Sequence, residues 1–364
     1  MGIDEFHDPI CYSSYGQGAL PDTLPIAAKA INECMPLVLV ALRANPVLRR
    51  GVTCVAFLAT TQGHEVVACL IYRLPLDEDE WRAAAERAVV AMSQGSSLEV
   101  SLLGQAKNQR IDVGKSFVTE CYALQDGRKL FYKHVHGHFS NPNAYACAHT
   151  LNFLSEVVRD NVLDRKSTDL LELYCGNGNH TVALAPLFRG ALAVEINPVL
   201  VAAAAENLAA NDVTNCAVQV ASFTSSLFVF NCYGQVFVLC CVFLHPHSTV
   251  YMYSHGHLSL QVSPSAKFCS RILQHQQWTH APSGQTFEFG AVLVDPPRSG
   301  LDAPTLELVC RYKHVLYISC NPFVSLRRDL DGFLAAGLSL RRLALIDHFP
   351  YTPHTECAVY LSRP

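Results

Sequence analysis

LLELYCGNGN, residues 170–179, is the stretch that decides how this chain folds. It is an apolar run that breaks at two glycines and resumes as a helical pattern: strand, tight turn, helix. Gly176 and Gly178 permit positive φ and let the backbone approach a ligand closely. Nineteen residues after Gly176 stands Glu195, at the end of the next apolar run. An acid at that place accepts hydrogen bonds from both hydroxyls of an adenosine ribose. The spacing suits a dinucleotide or S-adenosylmethionine. The dinucleotide fingerprint needs a third glycine, and Thr181 holds that position, so the pyrophosphate cradle is missing. A methyl donor has no pyrophosphate, and S-adenosylmethionine is the expected ligand.

Outward from this stretch the βαβ rhythm continues. Helical spacing over 144–160, 180–188 and 198–210 alternates with buried strands over 169–174, 190–195 and 217–221. It resumes with strands at 291–295 and 315–319, helices at 306–310 and 326–336, and final strands at 338–347 and 357–362. This predicts an α/β fold, a mostly parallel doubly wound sheet of the Rossmann-like kind, over residues 139–364. Residues 1–138 differ: strands at 52–60, 65–72 and 98–103 and helices at 23–43 and 78–92 predict a smaller α+β unit. Between Val213 and Ala266 lie 54 residues without Asp, Glu, Lys or Arg, and 227–244 is nearly continuous apolar sequence. Its length could span a membrane. Polar interruptions, missing basic flanks and a place between two strands of one sheet argue against a span. Residues 222–289 are read as an insertion foreign to the enzyme.

Composition narrows the class. Half of the 364 residues are hydrophobic and only 16% are charged, which excludes a mostly disordered chain. The net charge of −4 excludes a histone-like binder but not an enzyme that grips RNA locally. Residues 107–133 carry six Lys/Arg against three acids, a weak basic patch. The 15 cysteines include no C-x-x-C pair, so no structural zinc site and no metal are expected. No secretory signal is read at the start, so the chain is expected inside the cell, in the cytoplasm, with an organelle as the alternative.

Three motifs carry chemistry. Val294-Asp-Pro-Pro-Arg-Ser-Gly300 follows a buried strand, at the edge where ligands of such sheets bind; its prolines stiffen the placement of Asp295 and Arg298. Cys320, with Asn321 and Pro322, ends the next strand at the same edge. A cysteine is ordinarily a small buried hydrophobe, but this one stands where a nucleophile would. Glu356 directly precedes the last strand and can point back into the same cleft. A methyl donor, a thiolate at a strand end and a carboxylate together suggest methylation of an unactivated pyrimidine carbon. Uracil C5 is too weak a nucleophile until a thiolate adds to C6, and a base must afterwards remove the C5 proton. An RNA base would have to be unstacked to enter. Amino-group methylation of adenine is disfavoured, since Arg298 stands where that chemistry uses an aromatic residue.

These residues resemble the tRNA (uracil-5-)-methyltransferase family of bacteria. The likeness rests on LLELYCGNGN (170–179), AVEINP (193–198), LVDPPRSGLD (293–302), LYISCNP (316–322) and DHFPYTPHTEC (347–357), with RANPVLRR (43–50) and LPLDEDEWR (74–82) in the first half. The resemblance implies a class I S-adenosylmethionine-dependent methyltransferase domain behind an RNA-recognition domain. It implies Cys320 as nucleophile and Glu356 as base. It implies donor contacts from Tyr174, Gly176, Asn179, Glu195 and Asp295, and from Asn141, where the family carries the longer Gln. Arg298, Asn321, Pro322, Phe349 and His354 are implied as substrate-binding or supporting positions. The implied substrate is the T-loop uridine in the T arm of tRNA, giving 5-methyluridine, with the enzyme acting as a monomer. Cys11 and Cys34 do not reproduce the iron–sulfur cluster of the ribosomal-RNA relatives, so none is expected. The alternative from another class is a catalytically impaired relative serving as a tRNA-binding or folding module.

Overall fold

The computed structural model describes residues 2–4, 11–13, 24–141, 143–220, 278–280, 284–350 and 352–363. The chain divides into two units. Of the described residues, the first holds those up to Cys121 with Lys133–Phe139; the second holds Tyr122–Tyr132, Ser140–Val220 and those from Trp278 onward.

The first unit is built on a six-stranded sheet in the order β2-β1-β3-β4-β5-β6. The strands are β1 (Gly2–Asp4), β2 (Cys11–Ser13), β3 (Val52–Ala59), β4 (Glu65–Tyr72), β5 (Glu99–Ala106) and β6 (Gln109–Val113). Only β4 and β5 run parallel, and helix α3 (Glu78–Gln94) makes the crossover; α1 (Lys29–Ala44) and α2 (Pro46–Arg49) precede β3. Asp77 caps α3 by accepting from Glu80 N at 3.0 Å. Trp81 then anchors that helix: its ring nitrogen donates to Tyr72 Oη at 2.9 Å, and Tyr72 donates to Leu48 O at 2.8 Å. Gly104 is required beneath it, because a Cβ there would lie 2.6 Å from the indole.

The stretch read as a basic patch becomes β6 and a hairpin, β7 (Phe117–Ala123) with β8 (Lys129–Val135). Much of its charge is neutralised. Arg110 pairs with Asp112, Lys115 with Glu65 and Glu99, and Arg128 with Asp126.

The second unit carries a seven-stranded sheet in the order β11-β10-β9-β14-β15-β17-β16. These are β9 (Asp169–Leu173), β10 (Gly190–Glu195), β11 (Cys216–Val220), β14 (Phe289–Val294), β15 (His314–Ser319), β16 (Ser339–Ile346) and β17 (Glu356–Ser362); β12 (Trp278–His280) and β13 (Gln285–Phe287) form a separate ribbon. All neighbours are parallel except β17, which runs against both β15 and β16. Both faces are buried, which explains the unbroken apolar runs. Leu170, Ala191, Leu293 and Leu316 face one core with α4 (Ala144–Asn161) and α5 (Asn179–Leu184). Leu171, Leu192, Val292 and Val315 face the other with α7 (Ala303–Val309) and α8 (Arg327–Ala335). Helix α6 (Pro198–Ala210) joins β10 to β11. The helix expected over 180–188 stops at Leu184 and tightens into a 3₁₀ turn, because Pro186 has no N–H to continue it.

Residues 221–277 and 281–283, and with them the apolar run 227–244 and most of the expected insertion, lie outside the described residues. Among the described residues no helix is long and apolar enough to cross a membrane.

Candidate active site

The order of strands reverses between β9 and β14, and the crevice beyond their carboxyl ends is where such sheets bind ligands. One wall is the glycine turn. Tyr174, Gly176 and Gly178 all have positive φ, and the αL conformation of Gly178 starts α5. Glu195 locks the turn from the end of β10. One carboxylate oxygen accepts from Gly176 N at 3.1 Å; the other accepts from Ile196 N at 2.8 Å and Asn197 N at 2.9 Å. Lone pairs remain on it for further donors. Asn141 and Asn179 meet at Cys147 on α4: Asn141 Nδ2 donates to its sulfur at 3.5 Å, and the thiol donates to Asn179 Oδ1 at 3.2 Å. Asn179 Nδ2 is buried beside the turn with no protein partner. A buried donor without an acceptor and a glycine cradle suit a polar nucleoside ligand.

The opposite wall is β14 and its loop. Asp295 N bonds to Leu173 O at 3.4 Å, so the acid stands directly beside the glycine turn. Next comes the junction of β15 and β17. Ser319 faces Cys357 at the end of their antiparallel register, and Cys320 and Glu356 are the next residue on each side, near enough that the carboxylate acts on the thiol. Because β17 runs against its neighbour, its first residue reaches the edge at which β15 ends.

Asp329, fully buried on α8, fixes this edge from below. Its Oδ2 accepts from Tyr317 Oη at 2.8 Å and from Leu301 N at 2.9 Å, and Arg328 pairs with its other oxygen. Gly300 must be glycine: it has φ +76, and a Cβ there would meet Arg328, Asp329 and Ser325 within 2.8 Å. Asn321 Nδ2 donates to Arg298 O at 3.2 Å, and Arg298 reaches His354 Nδ1 at 3.3 Å. The Phe349 ring lies 6.3 Å from the ring of His348 and 6.3 Å from that of His354. Pro322 opens a short turn, two residues past Cys320, that leaves Phe323 77% exposed.

Protonation follows from this crowding. Burial, then Asp295, push Glu356 up to about 8, with His180 opposing. Burial pushes Asp295 up to about 6; His180 opposes and Glu172 adds to the rise. Burial raises the Cys320 thiol, Asp295 and Glu356 raise it further, and Arg298 lowers it. The resting sulfur is therefore a thiol, not the ready-made thiolate suggested by its place at a strand end.

The sequence profile of the tRNA (uracil-5-)-methyltransferases matches residues 10–229 and 281–364. The chain belongs to this family. The tRNA/tmRNA (uracil-C(5))-methyltransferase of Aromatoleum aromaticum is 37% identical over 93% of this chain and 77% of its own length. Those of Edwardsiella ictaluri and Stutzerimonas stutzeri are 35% and 34% identical, with 94% and 97% of this chain and 80% and 83% of their own lengths covered. A solved structure, the Pyrococcus abyssi tRNA (uracil-54, C5)-methyltransferase in complex with S-adenosyl-L-homocysteine, shares the fold. It has a TM-score of 0.61 and 18% identity over 97% of this chain and 73% of that one. The fold is thus that of a Rossmann-like S-adenosylmethionine-dependent methyltransferase, and S-adenosylmethionine is the co-substrate of this family member.

In this methyltransferase Tyr174, Gly176, Asn179, Glu195 and Asp295 gather at the crevice, and Cys320, Glu356, Arg298, Asn321 and His354 gather at the β15–β17 junction. Sequence reading passed over three residues. His348 Nε2 lies 3.1 Å from Glu356 Oε2; Glu172 accepts from Thr181 Oγ1 at 2.6 Å; His180 Nδ1 lies 3.7 Å from Glu172. His348 lay inside a quoted motif, two residues past a strand, and spacing alone gave no sign of its ring. Among the described residues no group of three or more His, Cys, Asp or Glu is arranged to hold a metal ion.

Proposed function

We propose that this enzyme methylates C5 of the T-loop uridine of tRNA through a covalent adduct between Cys320 and C6, with Glu356 as the base. The observation that supports it is the β15–β17 register, which brings that sulfur and that carboxylate to one edge beside Asp295 and the glycine turn. S-adenosylmethionine supplies an electrophilic methyl group. The Cys320 thiol, which solvent reaches, first gives its proton to water, a step that Arg298 favours. The sulfur bonds to C6, and the electron pair of the C5–C6 double bond moves toward C5, which takes the methyl as the donor's S–CH3 bond breaks and its pair leaves with S-adenosylhomocysteine. Glu356 then removes the C5 proton; that pair re-forms the double bond and the C6–S pair returns to Cys320. General-base help of this kind contributes about 10²–10⁴ in rate.

The donor residues are read the same way: Glu195 and Asn179 toward the nucleoside, Asp295 and Tyr174 lining the crevice, Asn141 through its bond to Cys147. Exposed Phe323 offers a ring on which an unstacked base can lie. The α+β unit is read as the tRNA-recognition part and the seven-stranded unit as the catalytic part, in a cytoplasmic monomer. Cys320→Ala tests the reading. It should abolish methyl transfer to a T-arm RNA, and the covalent adduct with 5-fluorouracil-containing RNA, while leaving donor and tRNA binding in place. Unchanged turnover in C320A would refute it.

A further inference from the structure

We propose that His348 is a positioning residue for the base: its Nε2–H donates to Glu356 Oε2, favours its ionised form against burial and aims it at the cleft. The inference rests on the reading of Glu356 as base. Both side chains are nearly closed off from solvent, at 3% exposure for His348 and 8% for Glu356, and 3.1 Å separates Nε2 from Oε2.

The other ring nitrogen decides the direction of this bond. His348 Nδ1 is buried with no hydrogen-bond partner. If Nε2 were the acceptor, a neutral ring would carry its proton on Nδ1, and a buried N–H without an acceptor is costly. With the proton on Nε2, Nδ1 is only a bare lone pair, which interiors tolerate better. Burial, and secondarily His180, holds this ring's pKa down to about 4, so it is neutral near pH 7. Protonating Glu356 would leave Nε2–H only an uncharged carboxyl oxygen to donate to, a weaker bond than the one to the carboxylate. His348 thus works against burial, which on its own favours the protonated acid.

Other groups act on the same carboxyl from each side. Asp295 beyond β14 raises its pKa and His180 on α5 lowers it. Cys320 beyond β15 and Cys147 on α4 share its field. Among these groups, His348 is the one placed at hydrogen-bond distance from the carboxylate.

The test is the pH profile of single-turnover methylation of a T-arm RNA at saturating S-adenosylmethionine. In His348→Leu the alkaline-rising limb should move up by about one pH unit, and the rate at pH 7 should fall about tenfold, since one pKa unit is a tenfold change in ionised fraction. Donor binding should stay unchanged. In His348→Gln, whose amide can still donate, the limb should return toward the wild-type position. Should H348L fail to fold, the shorter donor of H348N against H348Q gives the same contrast. A limb that does not move in H348L, or an H348Q profile that follows H348L, overturns the proposal. A separate Glu356→Gln enzyme tells the two failures apart: a dead E356Q with an unmoved H348L limb sinks only the His348 role, and an active E356Q sinks the base itself.

Discussion

The two halves of the cleft are built on opposite principles. At the donor wall, Glu195 accepts three backbone N–H groups and its surroundings leave the acid satisfied. At the reactive wall, Glu356, Asp295 and Cys320 are crowded together with few compensating donors, and all three lean toward their protonated forms. A binding site gains from rigid, fully paired groups. A site that must move protons gains from groups whose charge is costly at rest, since their pKa then lies near the working pH.

Removing the costly charge sharpens this contrast most. Glu356→Gln should reduce turnover by about 10²–10⁴, and RNA-linked enzyme should accumulate on denaturing gels because elimination stalls. The same change should alter stability in a defined sense. Glu356 has a raised pKa, so between its unfolded value near 4.5 and its folded value of about 8 the native state holds more protons. Stability is therefore lost as pH rises through that window. E356Q should remove this slope and melt higher than the wild type at pH 8, by about 2–4 °C for each kcal/mol relieved. A wild-type Tm that climbs from pH 5 to pH 8 faster than that of E356Q would contradict the assignment.

Asp329→Ala attacks the support beneath the reactive wall. It strands the Tyr317 hydroxyl and the Leu301 N–H inside the protein, which should cost about 2–5 kcal/mol in urea unfolding. Glu195→Ala probes the donor wall. Losing a charged acceptor should weaken S-adenosylmethionine binding about ten- to a hundredfold by calorimetry, with the pH profile of the chemical step unchanged. If E195A shifted that profile, the two walls would not be separate in function.

The parallel sheet was legible because its strands are buried on both faces and read as solid apolar runs. The glycine turn was legible because positive φ selects for glycine. By position alone Cys320 and Glu356 stood out as strand-end residues, and their roles came from the family resemblance. Their meeting depends on the reversed direction of β17, which no local pattern encodes. The hairpin over 117–135 was missed because its alternation is masked by charges that find partners elsewhere, such as Glu120, which accepts from Thr61 N at 2.7 Å. His348 was invisible for a similar reason: its role exists only through a side chain eight positions away, brought back by the turn before the final strand.

One consequence of the reversed strand concerns distance. Neighbouring strands are held at about 4.7–4.9 Å by their ladder of main-chain bonds. The spacing of the two backbones that carry Cys320 and Glu356 is thus gauged by the ladder that ends one residue before them. Exchanges of core residues can drift through the two apolar layers while this ruler, laid between the fifth and last strands of the sheet, keeps its mark.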